Sequence, residues 1–157
     1  CDLSTTNPGN DRIGATNYSG VSWWIEVYTA MGATAVNATV NVTYGDGTTG
    51  NLAAIALAAT PRQGRLYQLV SAAAGKWIRG VNSVTLSATT GTAGNFGITA
   101  TRQRAVISSP VANFPAVADW AQLGLPSIEN DACLFPIILC STTTTGTVRG
   151  QGKIIHG

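Results

Sequence analysis

Charge is what this chain most lacks. Only 10% of its 157 residues are Asp, Glu, Lys or Arg, against about 25% in an ordinary soluble domain. Lys76, Lys153, Glu26 and Glu129 are the whole supply of lysine and glutamate. That excludes a coiled coil or a long-helix protein, which is built largely from Glu, Lys and Leu. No Lys/Arg cluster stands ready to neutralise phosphates, so nucleic acid is excluded as a partner. No apolar run nears the roughly 18–20 residues of a membrane-spanning helix, so no membrane partner is expected either. Low charge beside 45% hydrophobic residues is the reverse of a disordered tail.

Histidine and cysteine are scarce too. The one histidine, His156, is penultimate, a position that usually frays rather than holding a rigid catalytic base. One His and three scattered Cys cannot be written as a tetrahedral zinc site. No G-x-S-x-G, phosphate-binding loop or dinucleotide fingerprint is present, so no cofactor is expected. The carboxylates are Asp2, Asp11, Glu26, Asp46, Asp119, Glu129 and Asp131. Asp46 belongs to a turn and Asp119 to the start of a short helix. Glu129 and Asp131 are close enough in a loop to attract a hard cation, but they read more simply as solvent-facing. The chain therefore reads as non-enzymatic.

Cys1, Cys133 and Cys140 make an odd number and a poor disulfide framework. On a straight strand, Cys133 and Cys140 would stand roughly 23 Å apart on opposite faces. A disulfide needs Cα atoms about 4.4–6.8 Å apart. Unless Pro136 bends the chain sharply, the two read as buried thiols acting as small hydrophobes. Cys1 at the head is also what a lipid-anchored bacterial surface protein would present.

What the chain does have is small and polar: 18 glycines, Thr at a similar share, slightly more Ala, and many Asn. The length fits one domain, which at this size buries about 70% of its extended surface. Residues 1–20 are polar and read as an extended N-terminal arm, followed by one domain over 21–157. In 21–29, Val21, Trp23, Ile25 and Val27 alternate with Ser22, Trp24, Glu26 and Tyr28. In 36–44, Val36, Ala38, Val40, Val42 and Tyr44 alternate with Asn37, Thr39, Asn41 and Thr43. A period of two marks half-buried strands. Asp46-Gly47 supplies the positive φ of a tight hairpin, with a return strand over 52–57. Further strands are expected at 65–70, 83–88, 95–101 and 104–108. A short helical turn fits 71–77, and a short helix fits 117–123 with Gly124 ending it. Pro110–Asn130 reads as a crossing loop. The apolar run Cys133–Cys140 reads as a strand buried on both faces, and a last strand covers 147–155. The expected fold is all-β: a single antiparallel β-sandwich, jelly-roll-like.

The outward strand faces are the candidate site. Trp24, Glu26 and Tyr28 share one face, where an exposed Trp/Tyr pair would anchor a protein partner or stack on sugar rings, or else be covered within the chain. Asn37, Thr39, Asn41 and Thr43 form another face with no charge. Such positions are normally charged in a free monomer. An uncharged polar face suits close packing on a neighbour, because little charge is desolvated. Asn17, Asn37 and Asn41 fit the glycosylation sequon, a pattern that Thr/Asn-rich strands produce by chance.

Several stretches carry a resemblance. They are Ser22-Trp-Trp-Ile-Glu-Val-Tyr-Thr, Gly32-Ala-Thr-Ala-Val-Asn-Ala-Thr-Val-Asn-Val-Thr-Tyr and Asp46-Gly-Thr-Thr-Gly. The run from Val84 through Gly91 and Phe96 to Arg102, Leu123-Gly-Leu-Pro and Lys153-Ile-Ile-His-Gly add to them. From about residue 20 onward the chain resembles small virion proteins of tailed bacteriophages, in strand texture and turn motifs rather than in any catalytic signature. The resemblance implies a structural role on the outer surface of the virion. The expected protein is a capsid decoration (cement) protein, a homo-oligomer with closed, favoured threefold symmetry, bound to the major capsid protein or other virion proteins. Its arm would reach a neighbour or the shell. The alternative it implies is a tail, fibre or spike module that binds a host-surface receptor or glycan.

Overall fold

The computed structural model describes residues 18–108, 114–124, 126–128, 132–139 and 149. The described residues contain seven strands and no helix: β1 (Ser22–Thr29), β2 (Val36–Tyr44), β3 (Thr49–Asn51), β4 (Ile55–Leu57), β5 (Leu66–Leu69), β6 (Ile78–Leu86) and β7 (Asn95–Thr101). They form two antiparallel sheets. In one, β1 lies between β5 and β7. In the other, β2 lies between β6 on one side and β3 and β4 on the other. The protein is all-β, and the two sheets are consistent with a β-sandwich.

Alternation decides which faces meet. Trp23, Ile25 and Val27 of β1 and Val36, Ala38, Val40 and Val42 of β2 are buried in one apolar cluster, joined by Leu52, Leu57, Leu69, Ile78 and Val81. The Trp23 indole Nε1 donates to the Ile78 carbonyl at 2.8 Å. That bond ties the centre of one sheet to the first residue of β6 in the other.

The hairpin after β2 forms as its residues require. Gly47 has φ +85°, a conformation that costs other residues about 1–2 kcal/mol. Asp46 Oδ1 accepts from the Thr48 amide at 2.9 Å, and Lys76 Nζ pairs with the other Asp46 oxygen at 2.7 Å. The hydrogen bonds from Lys76 and Thr48, together with the Lys76 charge, hold the Asp46 carboxyl well below the usual carboxylate range.

Several elements depart from their sequence expectation. The return strand over 52–57 is instead two short strands, β3 and β4, on the same side of β2. Exposed Ala53 and Ala54 interrupt them, while Leu52 stays buried and bonds the Val40 carbonyl. β6 begins five residues before the expected Ser83. Its register against β2 shifts between Asn41 and Val42 and again between Thr43 and Tyr44, which erases the period of two over 78–82. Residues 104–108 form no strand; Val106 and Ile107 are exposed there. The short helical turn expected over 71–77 is instead a tight turn closed by the Lys76 amide on the Ala73 carbonyl, with Gly75 at φ +71° outside the helical region.

The helix expected at 117–123 is one capped turn. Asp119 Oδ1 accepts from the Gln122 amide at 2.8 Å, Gln122 Oε1 accepts from the Asp119 amide at 3.1 Å, and Gly124 ends the turn at φ +79°. The capping chemistry was legible, but one turn is too short for helix propagation to offset nucleation. Residues 132–139 are not a buried strand. They lie in no sheet, Leu134, Phe135, Ile138 and Leu139 are exposed, and Cys133 is an exposed free thiol rather than a core one. Burial on both faces requires a neighbouring strand, and the described residues supply none. Residues 1–17 of the expected arm, Cys140, Glu129, Asp131 and the strand expected at 147–155 lie outside the described residues, apart from Arg149.

Candidate interface surfaces

The expected Trp24–Glu26–Tyr28 face exists in register but not as an open aromatic platform. Strand parity points all three away from the core cluster. Trp24 is nonetheless only 8% exposed, and its Nε1 donates to Thr101 Oγ1 on β7 at 2.7 Å. Its indole is satisfied within the chain, so of the alternatives for this position cover within the chain holds and the exposed anchor does not. Glu26 is half-buried and accepts from Thr99 Oγ1 of β7. Tyr28 is 43% exposed. Its ring lies over Gly97 so closely that a Cβ there would stand 2.5 Å from it. Gly97 is thus needed to seat the ring. Of the two aromatics, only Tyr28 offers area to an outside partner.

The second face holds together better. Asn37 and Thr39 are exposed on β2, and Asn41 is half-buried. Thr39 stands opposite Thr85 of β6, and Asn41 opposite Ser83. A side-chain ladder crosses three strands. Asn41 Nδ2 donates to Asn51 Oδ1 of β3 at 2.7 Å, Asn82 Nδ2 donates to Asn41 Oδ1 at 2.9 Å, and Thr43 Oγ1 donates to Asn82 Oδ1 at 3.0 Å. Beyond it, the Asn37 amide donates to Ser87 Oγ at 3.0 Å. Thr43 is buried and is therefore no contact residue. The register shift beside it brings Asn82 across the strand above it, which period-two reading cannot foresee. The resulting surface of Asn37, Thr39, Asn41, Asn51, Ser83 and Thr85 carries no charge.

Sequence reasoning missed a third surface. Ten of the large hydrophobic side chains that the structure leaves exposed fall between Val106 and Leu139, among them Phe114, Val117, Trp120 and Phe135. Val117 is 87% exposed and Leu139 84%. The apolar composition after Pro110 was visible in the sequence, but its exposure depends on what packs beside it.

Among the described residues, no group of three His, Cys, Asp or Glu side chains gathers to hold a metal ion. A cleft of about 190 Å³ beside Trp23, Leu69, Trp77 and Ile78 is below the roughly 300–1,000 Å³ of small-molecule sites. Among the described residues, no helix is long and apolar enough to cross a membrane. Compared with known proteins, the chain matches no protein-family model, no curated protein and no solved structure.

Proposed function

We propose that the protein is a non-enzymatic structural component of a tailed-phage virion, a capsid decoration protein that packs on the head shell as a symmetric homo-oligomer. The jelly-roll-like wrapping and the extended arm over residues 1–20 belong to the same reading. The observation that carries it is the uncharged face of β2 and its neighbours. Asn37, Thr39 and Asn41 stand where a free monomer usually places charge, and the Asn51–Asn41–Asn82–Thr43 ladder already satisfies much of that face internally. A surface of this kind buries against a neighbour with little desolvation cost.

Charging the face tests the reading. Thr39→Lys places an ammonium at an exposed position, where surface substitutions usually change stability by less than about 0.5 kcal/mol. The variant should melt like the parent and lose at least tenfold in occupancy on decoration-free particles, measured by co-sedimentation. Full occupancy by Thr39→Lys, or no binding of the parent chain to particles, would overturn the proposal.

A further inference from the structure

The segment 132–139 and the outer edge of β7 have complementary needs. The segment Ala-Cys-Leu-Phe-Pro-Ile-Ile-Leu carries no charge and pairs with no strand. With the rest of 106–139 it belongs to a stretch rich in exposed apolar side chains. Within the segment Leu134 is 46% exposed and Leu139 84%, with Phe135 and Ile138 between, which at full side-chain areas of about 150–250 Å² leaves on the order of 400 Å² of apolar surface open. A stable interface needs about 800 Å² from each partner, so the side chains supply about half and pairing of the backbone along a strand edge supplies the rest.

Among the described strands, β7 has the least protected edge. It ends the β5-β1-β7 sheet, and among the described residues no backbone hydrogen bond reaches its outer side. Natural edges are blunted by charge, proline, bulges or shortness. β3 and β4 have three residues each and β5 has four. β6 carries Arg79 and two register shifts. β7 has seven residues, Asn-Phe-Gly-Ile-Thr-Ala-Thr, with no charge and no proline. Its inward side chains Phe96 and Ile98 are only partly buried against the core.

We infer that residues 132–139 of one copy add as a strand to the β7 edge of a second copy. The inference deepens the homo-oligomer reading above and rests on it for self-association alone. Pro136 fixes which edge of the segment faces β7. In a strand, the amide and carbonyl of alternate residues point to the same side, and proline is tolerated only where its missing N–H faces away from the ladder. Cys133, Phe135, Ile137 and Leu139 therefore direct their backbone to β7, and Leu134, Pro136 and Ile138 direct theirs outward. The outward side lacks a donor at its centre, so a further strand pairs poorly there. The added strand caps that sheet against pairing with a further strand.

Two adjacent Ile→Pro substitutions test this with the same chemistry and opposite parity. Ile137→Pro removes an amide that bonds β7, whereas Ile138→Pro removes one that faces outward. Both lie outside the apolar core cluster, and near-UV circular dichroism checks that the core tryptophans stay packed. Sedimentation equilibrium of the full chain should show the parent and Ile138→Pro assembling alike. Ile137→Pro should associate at least tenfold more weakly. A monomeric parent, Ile137→Pro assembling like the parent, or equal loss in both variants would overturn the inference. Particle co-sedimentation separates the two readings. If Ile137→Pro still assembles and binds particles, strand addition fails and the virion role stands. If the parity effect appears without particle binding, the reverse holds.

Discussion

Replacing Trp23 by Phe probes the joint between the two sheets. Trp23 is 1% exposed, and its indole reaches from β1 to the Ile78 carbonyl of the other sheet at 2.8 Å. Phenylalanine keeps the apolar ring but leaves that carbonyl without its indole donor, which costs about 1–3 kcal/mol. It also vacates about 40 Å³, adding about 1 kcal/mol at the usual cavity penalty. The sum, about 2–4 kcal/mol, is a large part of a total stability of about 5–15 kcal/mol. In a domain of this size the melting temperature should fall by roughly 4–16 °C. The neighbouring Trp24→Phe is the internal control. It loses the indole donation to Thr101 Oγ1, but that hydroxyl keeps its own donation to the Ser22 carbonyl at 3.5 Å. The expected loss is therefore about 0.5–1.5 kcal/mol from the bond and up to about 1 kcal/mol from the vacated volume, less than for Trp23→Phe. Urea unfolding followed by far-UV circular dichroism measures both without relying on the altered fluorophores. If Trp24→Phe destabilises as much as Trp23→Phe, the inter-sheet bond does not have the weight assigned to it.

Two more outcomes follow from the loops. A Cβ at Gly32 would stand 1.9 Å from the Thr90 carbonyl oxygen and 2.5 Å from the Thr92 amide nitrogen. Gly32→Ala must therefore move backbone, and it should cost about 3 kcal/mol or more in chemical denaturation. Gly47→Ala meets no atom within 4 Å and suffers only from φ +85°, so it should cost about 1–2 kcal/mol; the reverse order would refute the packing described for Gly32. Asp46 has its pKa lowered by Lys76 and Thr48. Its contribution is therefore present above the ordinary carboxylate pKa and lost as pH falls through the lower folded value. Thermal melts from about pH 6 down to pH 2 should show the parent losing stability more steeply than Asp46→Asn, and high salt should shrink the difference because the pair is partly exposed.

How much was legible in the sequence varies with how local the cause is. β2 and β7 match their expected bounds, Val36–Tyr44 and Asn95–Thr101, and β1 differs by one residue. Alternation within each of these strands leaves little else for those residues to do. β6 escaped in its first half because irregular pairing with β2 breaks the alternation that marks a strand. Cys133–Cys140 has strand composition, yet strand formation needs a partner edge, which no local pattern reveals. Trp24 shows the same limit on a smaller scale. Parity placed it on the outward face correctly, but its burial depends on surroundings that parity does not encode. Parity puts Thr43 on the contact face, yet it is buried, and Asn82 meets it beside a register shift. The Asn37, Thr39 and Asn41 surface was legible because it needed only the period of two.

The placement of β1 between β5 and β7 sets a timetable for the newborn chain. Ser22 and Thr101, bonded across that sheet, are 79 positions apart. At a synthesis rate of about 5–20 residues per second, β1 waits roughly 4–16 s for its β7 partner to be made. Asn41 and Asn51 are only 10 positions apart, so the β2–β3 hairpin closes long before. During that interval Trp23, Ile25 and Val27 have no completed sheet to enter, and the sparse charge of the chain does little to keep nascent copies apart. Soluble yield should therefore respond more sharply to growth temperature and chaperone supply than equilibrium stability does, and substitutions in β7 should show first as lost yield.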